Sequence, residues 1–223
     1  IPAEVLRSLI QRTGFAITAE DARYYLAGAL LVLDGEEAAM VATDGHRLAY
    51  ARAPLGESVS EGTKVLVPRK AITELGRLIE GEDTVGFQRA EGHLIFTVGG
   101  RTLASKLVEA QFPAYEKVIT VTGDKKLQLG REALQSAIRR VSLLSSERTR
   151  AIKVAASDGQ LELSASSPEL GEARESLPVE YEGETVEVGF TAQYRLEFLG
   201  AAGTDEIVLE LRHSESQGLL RPA

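Results

Sequence analysis

Thr43, Asp44, His46 and Arg47 place a hydroxyl, a carboxylate, an imidazole and a guanidinium within one short stretch of the chain. An Asp–His pair can support general acid–base chemistry, and an imidazole can bind a metal. Either role needs further partners. The other histidines, His93 and His213, lie in different segments, and there is no H-x-x-x-H or comparable cluster. There is no P-loop, no G-x-G-x-x-G after a strand and no G-x-S-x-G elbow. The absence of cysteine removes disulfides, zinc–thiolate sites and thiol catalysis, and it suits the cytoplasm. The expectation is therefore a turn role for Asp44, turn packing or pocket lining for His46, and no catalytic residue, metal or cofactor. A hydrolase using Asp44 and His46 is the alternative.

These residues must be positioned by a hairpin. The run Met40-Val41-Ala42 meets Asp44-Gly45, and a second apolar run extends from Leu48 to Ala51. A DG pair between two such runs signals a tight turn, because Gly tolerates positive φ and Asp tolerates left-handed backbone. The turn presents Thr43, His46 and Arg47 at one sheet corner.

The hairpin belongs to a larger plan that occurs twice. Residues 2–14 place Val5, Leu6, Leu9 and Ile10 on one helical face. Strands are predicted near 26–33, 38–43, 47–53 and 64–67. Pro68 opens a helix carrying Ile72, Leu75, Leu78 and Ile79, and strands follow at 84–89, 93–98 and 101–108. The second half predicts a helix at 130–145, strands near 150–156, 160–166, 172–179 and 184–189, a helix at 191–202 and a strand at 205–212. The leading helices start about 128 residues apart and the second pair about 122 apart. That period is too long for a solenoid and fits two copies of one domain, 1–120 and 121–223, with the junction in 109–127.

Composition is that of an ordinary globular chain: 223 residues, 43% hydrophobic and 26% charged. No apolar run approaches the roughly 20 residues that span a bilayer. The N-terminus lacks the order of a signal peptide and an initiator Met, so a piece of a longer protein is expected. A net charge of -8 argues against a simple basic nucleic-acid binder. Yet the four predicted helices together carry +4, leaving -12 for the rest. Basic solvated helix faces also arise by chance. The sharper reading is that the helices share one layer facing a polyanion, with acidic sheets outside.

Several segments carry a family resemblance: RYYLAG at 23–28, VATDGHRLA at 41–49, VPRKAI at 67–72, SKLVEAQFPAYEKVI at 105–119, LLSSERTRAI at 143–152 and GFTAQYRLEFLGA at 189–201. In order and spacing the chain resembles the middle and last domains of the bacterial DNA polymerase III beta subunit, the sliding clamps. The resemblance implies an α+β fold: two copies of the clamp domain, each with two helices packed on antiparallel sheets. It implies a DNA replication processivity factor that encircles duplex DNA without sequence preference and tethers the replicative polymerase, the clamp loader and other partners. The family's N-terminal domain is absent, and the chain stops before the last domain's final strand and the C-terminal tail.

Carried over residue by residue, the resemblance places a partner-peptide pocket at Arg23, Leu26, Thr43, Gly45, His46, Arg47, Leu48, Pro113, Lys117, Val118, Thr149, Thr191 and Tyr194. Thr149 stands where several relatives carry a bulky aromatic residue. Arg7, Arg12, Tyr24, Tyr25, Arg77, Arg139 and Arg140 are expected to face DNA, although Tyr24-Tyr25 taken alone reads as a half-buried strand pair. Leu143 and Leu144 with Glu169, Glu172 and Glu175 are the expected homodimer contact, so this fragment alone should be monomeric. A scaffold module with no DNA role remains a further alternative.

Overall fold

The computed structural model describes residues 1–59, 62–120, 123–146 and 150–223. It divides into two compact units, Ile1–Ile119 and Thr120–Ala223. The first unit opens with helix α1 (Ala3–Thr13), followed by strands β1 (Gly28–Asp34), β2 (Glu37–Thr43), β3 (Leu48–Pro54) and β4 (Thr63–Pro68). Helix α2 (Arg69–Leu78), strands β5 (Gly86–Ala90), β6 (His93–Val98) and β7 (Arg101–Lys106) and the short helix α3 (Glu116–Ile119) complete it. Its two antiparallel sheets run β3-β2-β1-β4 and β5-β6-β7.

The second unit contains β8 (Lys125–Gly130), α4 (Arg131–Ser142), β9 (Ala151–Ser157), β10 (Gln160–Ser167), β11 (Gly171–Pro178) and β12 (Val186–Thr191). It ends with α5 (Ala192–Ala201), β13 (Glu206–Leu211) and β14 (Leu219–Pro222). Its four-stranded sheet, β11-β10-β9-β12, has the same topology as the first unit's, and its other sheet runs β14-β13-β8. The counterpart of β8 in the first unit is reduced to one bridge, Pro2 with Thr84, just before α1. Two strands follow α5 where three follow α2. The fold is thus α+β, with two domains of helices on antiparallel sheets.

Hydrophobic spacing explains the helices. Leu6 and Leu9 of α1, Ile72 and Leu75 of α2, and Leu134, Ile138 and Val141 of α4 recur at intervals of three or four and are buried. Around them close Leu31, Met40 and Phe96 in the first unit, and Ile152, Leu161, Leu163 and Ile207 in the second. Pro68 ends β4 and sits just before α2 rather than within it, because its φ of -59 suits either state while its ψ of 148 is extended.

Several elements differ from the expectation. The segment 130–145 stops being α-helical at Ser142, where the chain tightens: Leu143, Leu144 and Ser145 donate to the carbonyls three residues back. Tyr24 and Tyr25 lie in a 3₁₀ segment, Asp21–Leu26, and not in a strand. Strands β8 and β14 and helix α3 are additional. In β8, the alternation of Leu127 and Leu129 was hidden inside what looked like a polar junction. Arg7, expected to face DNA, donates from Nη2 to the Ile79 carbonyl at 2.6 Å, tying α1 to the C-terminal end of α2. A cation there also meets the negative end of that helix.

Gly28 marks the tightest approach in the first sheet. It pairs with Pro68 across β1 and β4, and a Cβ at this position would land on the Val67 carbonyl oxygen. That oxygen is backbone and cannot swing away. Gly28→Ala should lower unfolding stability by about 1–3 kcal/mol through overpacking. Urea unfolding, with amide exchange of the β1 and β4 ladder, measures the loss.

Candidate functional site

The corner between β2 and β3 is a four-residue loop, with Thr43 paired to Leu48. Asp44 builds it. Its Oδ1 accepts from the backbone N–H groups of His46 (2.9 Å) and Arg47 (3.0 Å), and its Oδ2 accepts from Arg47 Nε (3.1 Å). An aspartate that closes its own turn in this way supplies the acceptors the loop backbone lacks. Thr43 Oγ1 donates to the Arg47 carbonyl at 2.5 Å and accepts from Gly45 N–H at 3.1 Å. Gly45 has φ +88, the left-handed conformation that glycine adopts without strain.

Two arginines lock this loop from outside. Arg23 donates from Nη1 to the Asp44 carbonyl at 2.8 Å and pairs with Glu20 at 3.2 Å. A Cβ on Gly45 would come within 2.8 Å of the same Arg23 nitrogen and 4.0 Å of Leu26. Arg47 reaches the other way, donating from Nη2 to the Phe15 carbonyl at 2.6 Å with its guanidinium 5.2 Å from the Phe15 ring centroid. Both Asp44 and Arg47 are largely buried, so this ion pair is a structural one. The Asp44 carboxylate is thereby committed on both oxygens, which leaves the hydrolase alternative without its acid. His46 is exposed at the loop tip, and no group of three or more metal-ligating side chains exists among the described residues.

The stretch 107–119 returns across the outer face of the same sheet. Tyr115 is buried against Leu30 and Val41, with Leu48, Phe112 and Ile119 around it. Its ring stacks on Tyr50 at 6.2 Å and meets Phe112 edge-on at 6.5 Å. Burial, then the neighbouring Glu116 carboxylate and Tyr50, push the Tyr115 phenol above its ordinary pKa. Leu48 joins the Tyr115 cluster, while Val118 stays 41% exposed. The structure thus links Arg23, Leu26, Thr43, Gly45, Arg47 and Leu48 around one loop. Pro113, Lys117 and Val118 lie in the segment that packs beside it.

The second unit supplies the other expected pocket positions. Thr191 precedes α5, and Tyr194 is half-buried in its first turn. Thr149 lies outside the described residues. Arg195, one residue beyond Tyr194, covers the Phe190 ring at 4.0 Å. Arg150 carries φ +47, the one positive φ at a non-glycine among the described residues, and its carbonyl accepts from Ala192 N–H.

Of the expected cations, Arg12 and Arg139 are exposed on α1 and α4. Arg77 pairs with Glu74 at 3.0 Å on α2. Arg140 is exposed, and its Nε and Nη2 engage Glu175 on β11 at 2.5 and 3.1 Å, so a residue expected to face DNA and one expected at a dimer contact hold each other. That hydrogen bonding holds the Glu175 carboxyl below its ordinary range and the Arg140 guanidinium above its own. Tyr24 and Tyr25 are 63% and 38% exposed, in edge-to-face contact. Leu143 is 75% exposed and Leu144 half-buried, with Glu169 and Glu172 exposed. Leu170, 63% exposed between Glu169 and Gly171, was missed; an isolated leucine in a polar turn was its only signal.

Two tandem units of one α+β topology, each with a four-stranded and a three-stranded antiparallel sheet, define a duplicated clamp-type fold. Residues 1–114 match the family model described as DNA polymerase III beta subunit, central domain, and residues 116–223 match the C-terminal domain. The chain belongs to the DNA polymerase III beta subunit family. It is 42% identical over 219 residues to the beta sliding clamp of Pseudomonas aeruginosa, covering 98% of this chain and 60% of that protein. With the Escherichia coli K12 beta sliding clamp it shares 38% over 217 residues, 97% of this chain and 59% of the other. A crystal structure of the Pseudomonas aeruginosa subunit superposes with TM-score 0.94 at 40% identity, covering 100% of this chain and 61% of that one. A Bartonella birtlesii clamp bound to griselimycin superposes with TM-score 0.91 at 37% identity, covering 99% and 61%. The chain therefore spans about three fifths of the length of these relatives.

The Asp44 geometry yields a direct test. Asp44→Ala removes three acceptor contacts and strands Arg47, and should cost about 1–3 kcal/mol of stability. Asp44→Asn keeps a backbone acceptor and should cost less. Chemical denaturation of the two variants checks the order.

Proposed function

We propose that the protein containing this chain is a non-enzymatic processivity factor, a sliding clamp that closes around duplex DNA and tethers the replicative polymerase and other partners. One observation carries this reading: the chain matches two successive domains of one family, central then C-terminal, without interruption. The charge pattern supports it. The helices α1, α2, α4 and α5 together carry +5, leaving -13 for the rest of a chain whose net charge is -8. Exposed guanidinium groups attract phosphates without reading sequence, so the ring is retained by topology and remains free to slide. Arg7, Arg12, Arg77, Arg139 and Arg140, with Tyr24 and Tyr25, are the proposed DNA-facing groups, of which Arg7 and Arg140 also brace the fold. The protein works in the cytoplasm and needs no cofactor, and no helix among the described residues is long and apolar enough to cross a membrane.

The partner-peptide pocket is proposed at Arg23, Leu26, Thr43, Gly45, His46, Arg47, Leu48, Pro113, Lys117, Val118, Thr149, Thr191 and Tyr194. In this reading Arg47 and Thr43 hold the loop rigid, while His46, Leu48 and Val118 offer the exposed and apolar contact surface. The full-length chain forms a homodimer through Leu143, Leu144, Glu169, Glu172 and Glu175. An apolar pair beside carboxylates gives such a contact a dry centre and an orienting rim.

In the full-length protein, Arg12→Glu combined with Arg139→Glu should weaken retention on circular DNA most clearly at low salt, because fewer phosphate contacts leave a shallower salt dependence. Peptide binding should be unchanged, and unaltered DNA retention would remove the helices from the DNA-facing role. Separately, the present fragment should sediment as a monomer and capture an isolated N-terminal domain of the same protein. Leu144→Asp should reduce that capture at least tenfold, as an unpaired buried charge would; undiminished capture would exclude Leu144 from the contact.

A further inference from the structure

The sheet β3-β2-β1-β4 ends at β4, whose outer edge has no neighbouring strand among the described residues. Beside this edge lies a cavity of about 400 Å³, bounded by Lys64, Val65 and Leu66 of β4, by the stretch 107–116 and by Arg89 of β5. That volume is at the lower end of ligand pockets, which run from about 300 to 1,000 Å³. It meets the proposed partner-peptide pocket only at Pro113.

The stretch 107–116 is a strap held at both ends. At one end Leu107 N–H donates to the Gly92 carbonyl at 2.9 Å. At the other, Phe112 and Tyr115 are packed into the outer face of the sheet. Between these anchors the backbone of 108–112 makes no hydrogen bond among the described residues. Two rows of backbone groups, the edge of β4 and the middle of the strap, thus border one cavity and lack hydrogen-bond partners among the described residues. Unpaired strand edges are templates for another chain, and folds usually cover or charge them.

We propose that this gap takes an extended peptide of a partner protein, added as a fifth strand along β4 and covered by the strap. A peptide backbone is the ligand that alternates donors and acceptors at the roughly 3.3 Å rise of a strand, which is what an open edge can satisfy. The charges around the cavity balance, Lys64 and Arg89 against Glu109 and Glu116, so a polyanion has no net attraction there. Lys64 and Glu116 meet at 3.5 Å across the gap, and both side chains are more than half exposed. A pair so solvated is weak and opens readily, which gives the peptide its entrance.

The test reads amide hydrogen exchange residue by residue on the whole chain. The probe is a pooled library of acetylated hexapeptides that alternate polar and apolar side chains. At saturating peptide, amides within 64–66 and 108–111 should exchange about tenfold more slowly. The same pool N-methylated at alternate amides should give no protection, because one row of donors is gone. Ala110→Pro, which removes a strap N–H while leaving β4 intact, should cut the protection at least threefold. Unchanged exchange at these amides, protection confined to the 43–48 loop, or equal protection by the N-methylated pool would each overturn the proposal. Duplex DNA, used as the competing probe, should leave these amides unaffected; their protection by DNA would also overturn it.

Discussion

The corner on which the proposed partner pocket rests depends on one carboxylate. Asp44 accepts two backbone N–H groups and the Arg47 guanidinium, and its own carbonyl is held by Arg23. Each of these bonds is worth little alone, since folding exchanges it for bonds to water. Together, in a largely buried pair, they leave the loop one geometry, because releasing either partner would strand a charge out of water. Arg47 passes that constraint on to the Phe15 carbonyl beyond α1, so the loop is tied to the helical layer as well as to the sheet. His46 is left at the tip with a fixed backbone and an exposed ring.

The same sheet is covered on both faces, which explains the composition of β1. Leu31 and Leu33 face the main core, while Leu30 and Val32 join the cluster that holds Tyr115. A strand buried on one side would alternate apolar and polar residues; this one reads as a continuous apolar run. The return of 107–119 across the sheet is the reason. Aromatic packing supplies its anchorage, through the stacked Tyr50 and Tyr115 and the edge-on Phe112. It also brings Pro113, Lys117 and Val118 into the neighbourhood of the loop.

Duplication accounts for the remaining architecture. The offsets between α1 and α4 and between α2 and α5 are 128 and 123 residues, and the two four-stranded sheets share one strand order. The repeated helices concentrate positive charge in a chain that is acidic as a whole. Some of that charge is engaged within the chain: Arg7 braces α2, and Arg140 is fastened to β11 by Glu175. A count along the sequence cannot tell such engaged cations from Arg12 and Arg139, because all look alike until the opposing groups are known.

Local pattern by itself determined much of this protein. Helical spacing in α1, α2 and α4, strand alternation and turn glycines set the elements and their repetition, since each is governed by the nearest few residues. The motif around Asp44 and the later Phe112-Pro113 segment marked the family and the loop. Other features were decided by partners distant in the chain. Tyr24 and Tyr25 follow a 3₁₀ path, and the neighbouring Arg23 donates to a carbonyl 21 residues away. β8 emerged from a polar stretch because β13 offered it an edge. The bracing role of Asp44 was legible locally, since its carboxylate is held by His46 and Arg47, but whether Arg140 was a free cation or half of an ion pair turned on the Glu175 that the fold carried to it. Hydrogen bonds and ion pairs act only at contact distance, and for Arg140, as for Arg23, tertiary packing determined the partner.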